Sequence, residues 1–331
     1  VKRSIKIIST GIYLPKNKVS ASEMDQKLNL QSGWVAEKTG VLNRHFADDS
    51  EKAPYMAAQA LKEALNKANL KFSDLDLLLS GSGTMAQPIP CNAALIQEAM
   101  GELHCGIPSF DMNSTCLSFV TALDHISYAM QAGRYQRIAI VSSEIASIGL
   151  NFAEKESAAL MGDGAVAIIL ERDTSDQSQI LSSAMNTYSS GAHYAEIRSG
   201  GTNLHPVRSH GVREEDLMFK MDGPKIFKQA LKYLPEFFTG LLNQANIQRE
   251  HLQLFIPHQA SSMALKLIQN KLEITDQQYF MYLDRVGNTI GASIPMGIHF
   301  AIAENKIQRG DLVSLIGTSA GFSIGGMILR Y

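Results

Sequence analysis

Cysteine is scarce in this chain, with Cys91, Cys105 and Cys116 alone among 331 residues. An odd count without a Cys-x-x-Cys pair excludes a disulfide framework and argues for a reducing compartment, the cytoplasm. The cysteines have no metal-ligand spacing, so no metal or redox cofactor is expected. Net charge is also nearly absent, at -2, which removes the electrostatic footprint of a nucleic-acid binder or of a protein held on an anionic membrane. No stretch approaches the roughly 20 apolar residues of a membrane span. The apolar part of Val1-Lys2-Arg3-Ser4-Ile5-Lys6-Ile7-Ile8 is too short for a signal peptide. What remains is ordinary globular composition, 45% hydrophobic and 19% charged, over a length that suits two domain-sized units or one duplicated unit.

The periodicity alternates between strand and helix. Residues 6–14 read as a buried strand, and Ser20 is placed to cap the helix after it. Helical spacing over 53–70 gives way to a short apolar strand at 76–80, closed by Gly81-Ser82-Gly83. A helix at 93–100, a helix beginning near Cys116, and strands at 137–143 and 165–170 follow. The polar stretch 171–223 reads as a surface connection with irregular or strand excursions. The rhythm then resumes with helix 224–242, strand 252–256, helices 260–272 and 294–305, and strand 312–316.

That resumption is a repeat. Leu65-Asn66-Lys67-Ala68-Asn69 and Leu75-Asp76-Leu77 align with Leu242-Asn243-Gln244-Ala245-Asn246 and Leu252-Gln253-Leu254 at an offset of 177 (242 minus 65). Farther on, Ile126 and Ala129 align with Ile298 and Ala301 at an offset of 172 (298 minus 126). The order of matches favours a duplicated α/β unit. The first offset sets His258 opposite Gly81, and the second sets Asn288 opposite Cys116, so equivalent ends of two halves carry polar groups that would meet on a pseudo-twofold axis.

Four features could carry chemistry. Cys116 stands where small polar residues give way to the helical run Val120, Ala122, Leu123, Ile126 and Ala129, and a helix N-terminus favours a thiolate. A free cysteine is as often a small buried hydrophobe. His258 follows the apolar run Phe255-Ile256-Pro257, and Asn288 follows Gly287; either alone is ordinary turn chemistry. Gly317-Thr318-Ser319-Ala320-Gly321-Phe322 is a small-residue loop able to bring backbone N–H groups near a ligand.

Trp34 to Arg44, the cysteine segment, Gly162-Asp163-Gly164-Ala165, Met221-Asp222-Gly223, His258-Gln259-Ala260, Gly287-Asn288-Thr289 and Gly321-Phe322 occur in this order. In that combination the chain resembles the β-ketoacyl-acyl carrier protein synthase III family of thiolase-like condensing enzymes, over essentially its whole length. The resemblance implies a duplicated thiolase-like α/β fold in α-β-α-β-α layers, with halves at residues 1–172 and 173–331. It implies that Cys116 takes an acyl group from a thioester, with the backbone N–H groups of Cys116 and Ala320 as oxyanion hole. His258 and Asn288 would then donate to the thioester oxygen of a malonyl-type extender as CO₂ leaves. Coenzyme A thioesters would be substrates rather than cofactors. Trp34 would stack on the adenine, Lys38 and Lys155 would pair with phosphates, and Ile89 and Phe322 would wall the acyl pocket. A homodimer and an acyl carrier protein as partner are further implications.

Some positions depart from the family pattern. Ser261-Ser262-Met263 stand where an Asn that holds pantetheine and an Arg that docks the carrier protein are usual, leaving Ser261 as the polar group at the pantetheine position. Ser319 and Ala320 stand where glycines are usual, and Asn113 and Ser114 where small apolar residues are common. A thiolase-like enzyme that acylates a non-carbon nucleophile, or joins two acyl chains head to head, fits the same residues. A papain-like cysteine hydrolase shares the Cys, His, Asn order but needs a Cys-Gly-Ser-Cys-Trp-like signature, which the chain does not have.

Overall fold

Strands buried on both faces need continuous apolar runs, and Leu77-Leu78-Leu79 and Ile138-Ala139-Ile140-Val141 are two such runs. The computed structural model describes residues 2–205, 207 and 211–331. Val1, in the segment weighed as a signal peptide, and Pro206, Arg208, Ser209 and His210, in the polar connection, lie outside the described residues. One sheet of nine strands is present: β1 (Arg3–Tyr13), β2 (Leu77–Ser80), β3 (Ser109–Asp111), β4 (Arg137–Glu144), β5 (Gly164–Arg172), β6 (Gln179–Thr187), β7 (Leu254–Pro257), β8 (Leu312–Ser319) and β9 (Ser323–Arg330). Their order is β7-β8-β9-β6-β1-β5-β4-β2-β3.

The sheet reads the same outward from its centre in both directions. There β1 and β6 pair antiparallel, Arg3 with Ile180 and Ser4 with Gln179. On either side come an antiparallel neighbour (β5 or β9), a second antiparallel neighbour (β4 or β8), and a parallel strand (β2 or β7). Parallel β3 lies beyond β2, and Tyr279 forms a parallel bridge to Phe255 beyond β7.

Helices cover both sides of each half-sheet: α1 (Ala53–Ala68), α2 (Asn92–Met100), α3 (Ser118–Gln131), α4 (Gly223–Ala245), α5 (Ser262–Lys271) and α6 (Ser293–Ala303). Side chains alternate along a strand, so Ile138 and Ile140 of β4 face one cluster while Ala139 and Val141 face another. The first cluster holds α3 and α6 together with residues of both half-sheets; α1 and α2 cover the outer face of one half-sheet, and α4 and α5 that of the other. These are the α-β-α-β-α layers expected from the resemblance. The inner helix α6 is buried almost all round, as a helix without a polar face must be. No helix among the described residues is long and apolar enough to cross a membrane.

The local chemistry repeats with the layers. Asn69 ends α1 and Asn246 ends α4, both left-handed (φ 54° and 56°), a conformation that asparagine tolerates. Ser20 caps the helix Ala21–Lys27 through a capping box with Glu23. The connection 171–223, read as a surface connection with irregular or strand excursions, holds strands, one of them not at the surface: β6 lies at the centre of the sheet, while Ala195–Glu196 pairs with Lys220–Met221. The sequence of β6, Gln-Ile-Leu-Ser-Ser-Ala-Met-Asn-Thr, is Ser-rich and becomes exposed toward its end, so it lacks an apolar strand signature.

Gly11 lets β1 pass against the backbone of α1, where a Cβ would run into the carbonyl oxygen of Ala60 and stand 2.6 Å from Ala64 N. Gly11→Ala is expected to lower stability by about 1–3 kcal/mol, read as a lower denaturant midpoint at unchanged slope.

Candidate active site

The cysteine sits on a strained turn. After β3, Thr115–Leu117 forms a 3-10 turn that runs into α3. Thr115 has φ of 55°, a left-handed conformation costly for a β-branched residue. Hydrogen bonds within the turn hold it: Asn113 Oδ1 accepts from Thr115 N (2.9 Å), Ser118 Oγ donates to Thr115 O (2.7 Å), and Ser114 N donates to Ser118 Oγ (3.0 Å). The second half repeats the device, with Ile290 at φ 48° and the turn Ile290–Ala292 ahead of α6. Both inner helices start at a buried serine, Ser118 and Ser293, an offset of 175 (293 minus 118). The structural counterpart of Cys116 is therefore Gly291 rather than Asn288: both helices run unbroken from these serines, so the offset of 172 matched residues three positions out of register.

The two turns touch backbone to backbone. A Cβ on Gly83 or on Gly291 would stand 3.1 Å from the Thr115 carbonyl oxygen. Beneath them lies Glu144, fully buried at the end of β4. Its carboxylate accepts from Gly83 N (2.5 Å), Gly291 N (3.2 Å), Thr84 N (2.9 Å) and the Thr84 hydroxyl (2.5 Å). Burial pushes Glu144 up to about 7 against the pull of these donors. Sequence reasoning missed this residue; its signal was a carboxylate ending the apolar core strand Ile138-Ala139-Ile140-Val141-Ser142-Ser143.

The thiol state differs from the expected thiolate. Burial, with the neighbouring Glu144 charge second, pushes Cys116 up to about 12, while the backbone N–H groups of Ala320 and of Cys116 itself pull it down. Desolvation outweighs the helix N-terminus here. The resting group is a thiol.

His258 follows β7 and donates its backbone N–H to Ile316 O (2.8 Å). A Cβ on Gly317 would stand 2.7 Å from His258 Cβ and 3.4 Å from Leu117 Cδ2, so this glycine lets the histidine approach the cysteine turn. Burial pushes the imidazole down to about 4, which leaves it neutral, and Nδ1 has no hydrogen-bond partner among the described residues. Gln259 steadies the loop: its N–H donates to Ser293 Oγ (2.8 Å), and its side-chain oxygen accepts from Tyr282 N (3.0 Å). Asn288 is buried and stitched to the first half, its N–H donating to Leu160 O (2.8 Å) and its carbonyl accepting from Gly162 N (3.0 Å). Its Oδ1 accepts from Ile290 N (2.9 Å), which leaves Nδ2 without a partner among the described residues.

The remaining expected residues are spread over both halves. Trp34 is half-buried on the short helix Trp34–Thr39, whose start is held by buried Asp25 accepting from Gly33 N and Val35 N. Trp34 packs against the cluster containing Leu150, Ala158 and Ala159, so the helix Lys155–Ala158 flanks the same cluster. Lys155 is exposed, and exposed Lys38 is paired with Glu37 (3.2 Å). Ser261 caps α5, its hydroxyl accepting from Ala264 N (3.4 Å). Phe322 is buried at φ 46° beside the stacked rings of Tyr188 and Tyr233. Ile89 is 83% exposed and stands away from this cluster in the single chain.

A duplicated five-layer fold with a cysteine turn where its halves meet defines the thiolase-like enzymes, and known proteins narrow the class. The family model of 3-oxoacyl-[acyl-carrier-protein] synthase III matches residues 110–189, and the model of its C-terminal part matches residues 242–331. The β-ketoacyl-[acyl-carrier-protein] synthase III of Aquifex aeolicus is 32% identical over 98% of this chain and 99% of its own. That of Syntrophomonas wolfei is 30% identical over 99% of this chain and 97% of its own. The crystal structure of the Aquifex aeolicus protein superposes with a TM-score of 0.88 at 31% identity, covering 99% of this chain and 100% of that one. That of the Pseudomonas aeruginosa synthase III gives 0.90 at 25%, covering 99% and 98%. The chain belongs to the β-ketoacyl-[acyl-carrier-protein] synthase III family of condensing enzymes, which are acyltransferases.

A raised thiol has a kinetic signature. Below its pKa the thiolate fraction grows tenfold per pH unit. Alkylation of Cys116 by iodoacetamide, followed by intact mass, is expected to accelerate about tenfold per unit from pH 7 to pH 10 without a plateau.

Proposed function

We propose that Cys116 is the acyl-accepting nucleophile of a decarboxylative condensation that gives a 3-oxoacyl thioester. The thiol gives up its proton, which the departing coenzyme A thiolate takes, and attacks an acyl-coenzyme A carbonyl. The resulting oxyanion is held by the N–H groups of Cys116 and Ala320, and collapse expels the coenzyme A thiolate and leaves S-acyl-Cys116. A malonyl-type thioester then loses CO₂, and the enolate oxygen is held by His258 and Asn288 Nδ2. The carbanion attacks the acyl carbonyl, and collapse returns the Cys116 thiolate and frees the product. The observation that carries this reading is the meeting of the two halves at the cysteine turn, where Ser319 Oγ donates to Ser114 O (2.6 Å) and Gly317 lets His258 pack beside Leu117. Residues of both halves thus stand where charge would develop.

In this reading coenzyme A thioesters are substrates, bound at the mouth by Trp34, Lys38, Lys155 and Ser261. The extender arrives on an acyl carrier protein, as the names of the relatives imply. Exposed Met263, in place of the usual docking Arg, weakens the electrostatic part of that contact. A homodimer is supported by the uncovered edge strand β3 and by exposed Met85, Ile89, Leu103 and Phe110 near it. Ile89 would then close the partner's acyl pocket while Phe322 walls its own. The chain would act in fatty-acid or related biosynthesis, in the cytoplasm, with the halves 1–172 and 173–331 each supplying part of the site.

The two half-reactions separate the roles. His258→Ala and Asn288→Ala are expected to form the acyl adduct within about threefold of the parent rate but to lose decarboxylation of malonyl thioester by about 100-fold or more. Decarboxylation at the parent rate in both variants contradicts the assignment.

A further inference from the structure

We infer that Ser319 is a positioning residue that sets the spacing of the two oxyanion donors. This rests on the reading of Cys116 and Ala320 given above. The donors come from opposite halves of the duplication, 204 residues apart (320 minus 116). The ties between their two turns therefore decide how they converge.

Ser319 is the last residue of β8, where it pairs with Ser323 of β9. The hairpin between them runs through Ala320, Gly321 (φ 80°) and Phe322 (φ 46°). The Ser319 hydroxyl, in a residue only 7% exposed, donates to Ser114 O at 2.6 Å. Its donor atom is thus one residue from Ala320 and its acceptor two residues from Cys116. The acceptor turn is itself held, since Ser114 N donates to Ser118 Oγ (3.0 Å) and Ser114 Oγ bonds Thr121 Oγ1 (2.6 Å). A further contact across this seam, Leu117 against Gly317 and Gly325, is apolar packing and carries no directional constraint.

Both ends of the tie are positions where the chain departs from the family pattern. Ser319 replaces a usual glycine, which has no hydroxyl to donate, and Ser114 replaces a small apolar residue whose side chain could not bond Thr121. The two departures meet in one hydrogen-bonded line, Thr121 to Ser114 to Ser319. Backbone donors must converge within a few tenths of an ångström on the developing oxyanion, and a displacement of about 1 Å costs up to about 100-fold in rate.

The test compares acylation with alkylation in the full chain. Alkylation by iodoacetamide consumes the same thiol but forms no tetrahedral oxyanion. Ser319→Ala is expected to lower the acylation rate at saturating acyl-coenzyme A about tenfold or more, with half-saturation within about twofold of the parent and iodoacetamide alkylation lowered several-fold less than acylation, since the Ala320 N–H also favours the thiolate. The shape-matched pair Ser319→Thr and Ser319→Val covers the case in which Ser319→Ala does not fold: Thr keeps the hydroxyl and most of the acylation rate, and Val loses it. Acylation by Ser319→Ala or Ser319→Val at the parent rate overturns the inference. So does a parallel loss of acylation and alkylation, which marks general disorder of the turn, or a change confined to half-saturation. Absence of acylation in the parent chain under the same conditions refutes the underlying reading of Cys116 instead.

Discussion

Everything at the centre of this molecule depends on two strained turns packed backbone against backbone. Thr115 and Ile290, both β-branched, take positive φ at equivalent places in the two halves, and the Thr115 carbonyl lies against bare Gly83 and Gly291. Strain of this kind costs about 1–3 kcal/mol per residue and persists only where surrounding contacts over-determine it. Glu144 supplies much of that determination. One buried carboxylate gathers four donors from a first-half loop and the second-half turn, so the two halves are joined at the point where the cysteine turn needs support.

The same carboxylate shapes the electrostatics. A negative group near a desolvated thiol opposes the thiolate, and Cys116 rests protonated. Burial keeps His258 neutral. The centre therefore holds little permanent charge beyond Glu144, while the N–H groups of Cys116 and Ala320 and Nδ2 of Asn288 are uncharged donors. Preorganised donors in a low-dielectric site gain most when charge develops during reaction, which suits a sequence of an oxyanion followed by an enolate.

Much of this was legible in the sequence, for identifiable reasons. The offset of 177 held because helix caps have strict chemistry: Asn69 and Asn246 end equivalent helices in the same left-handed conformation. The helix start near Cys116 and the strand end before His258 were visible as switches from apolar runs to small or polar residues, whereas strand β8, read as ending at residue 316, runs on to Ser319. The counterpart of Cys116 was misplaced by three residues, because glycine and cysteine share no side-chain signal and the match rested on helix residues farther along. Strand β6 was hidden by its Ser-rich sequence. The protonation of Cys116 was not legible at all, since it arises from burial and from Glu144, a residue brought near by folding. The mouth residues are the weakest part of the correspondence: Ser261 caps a helix, Lys38 is paired with its neighbour Glu37, and neither use is encoded by a motif.

The central claim is that one of three cysteines carries the acyl group because the two halves converge on it. It is tested most directly by incubating the protein with acyl thioesters of graded chain length and mapping the adduct by peptide mass spectrometry. The account predicts a single acyl adduct on Cys116, with Cys91 and Cys105 unmodified. An adduct on either of those residues, or no adduct across the series while Cys116 still reacts with iodoacetamide, would contradict it.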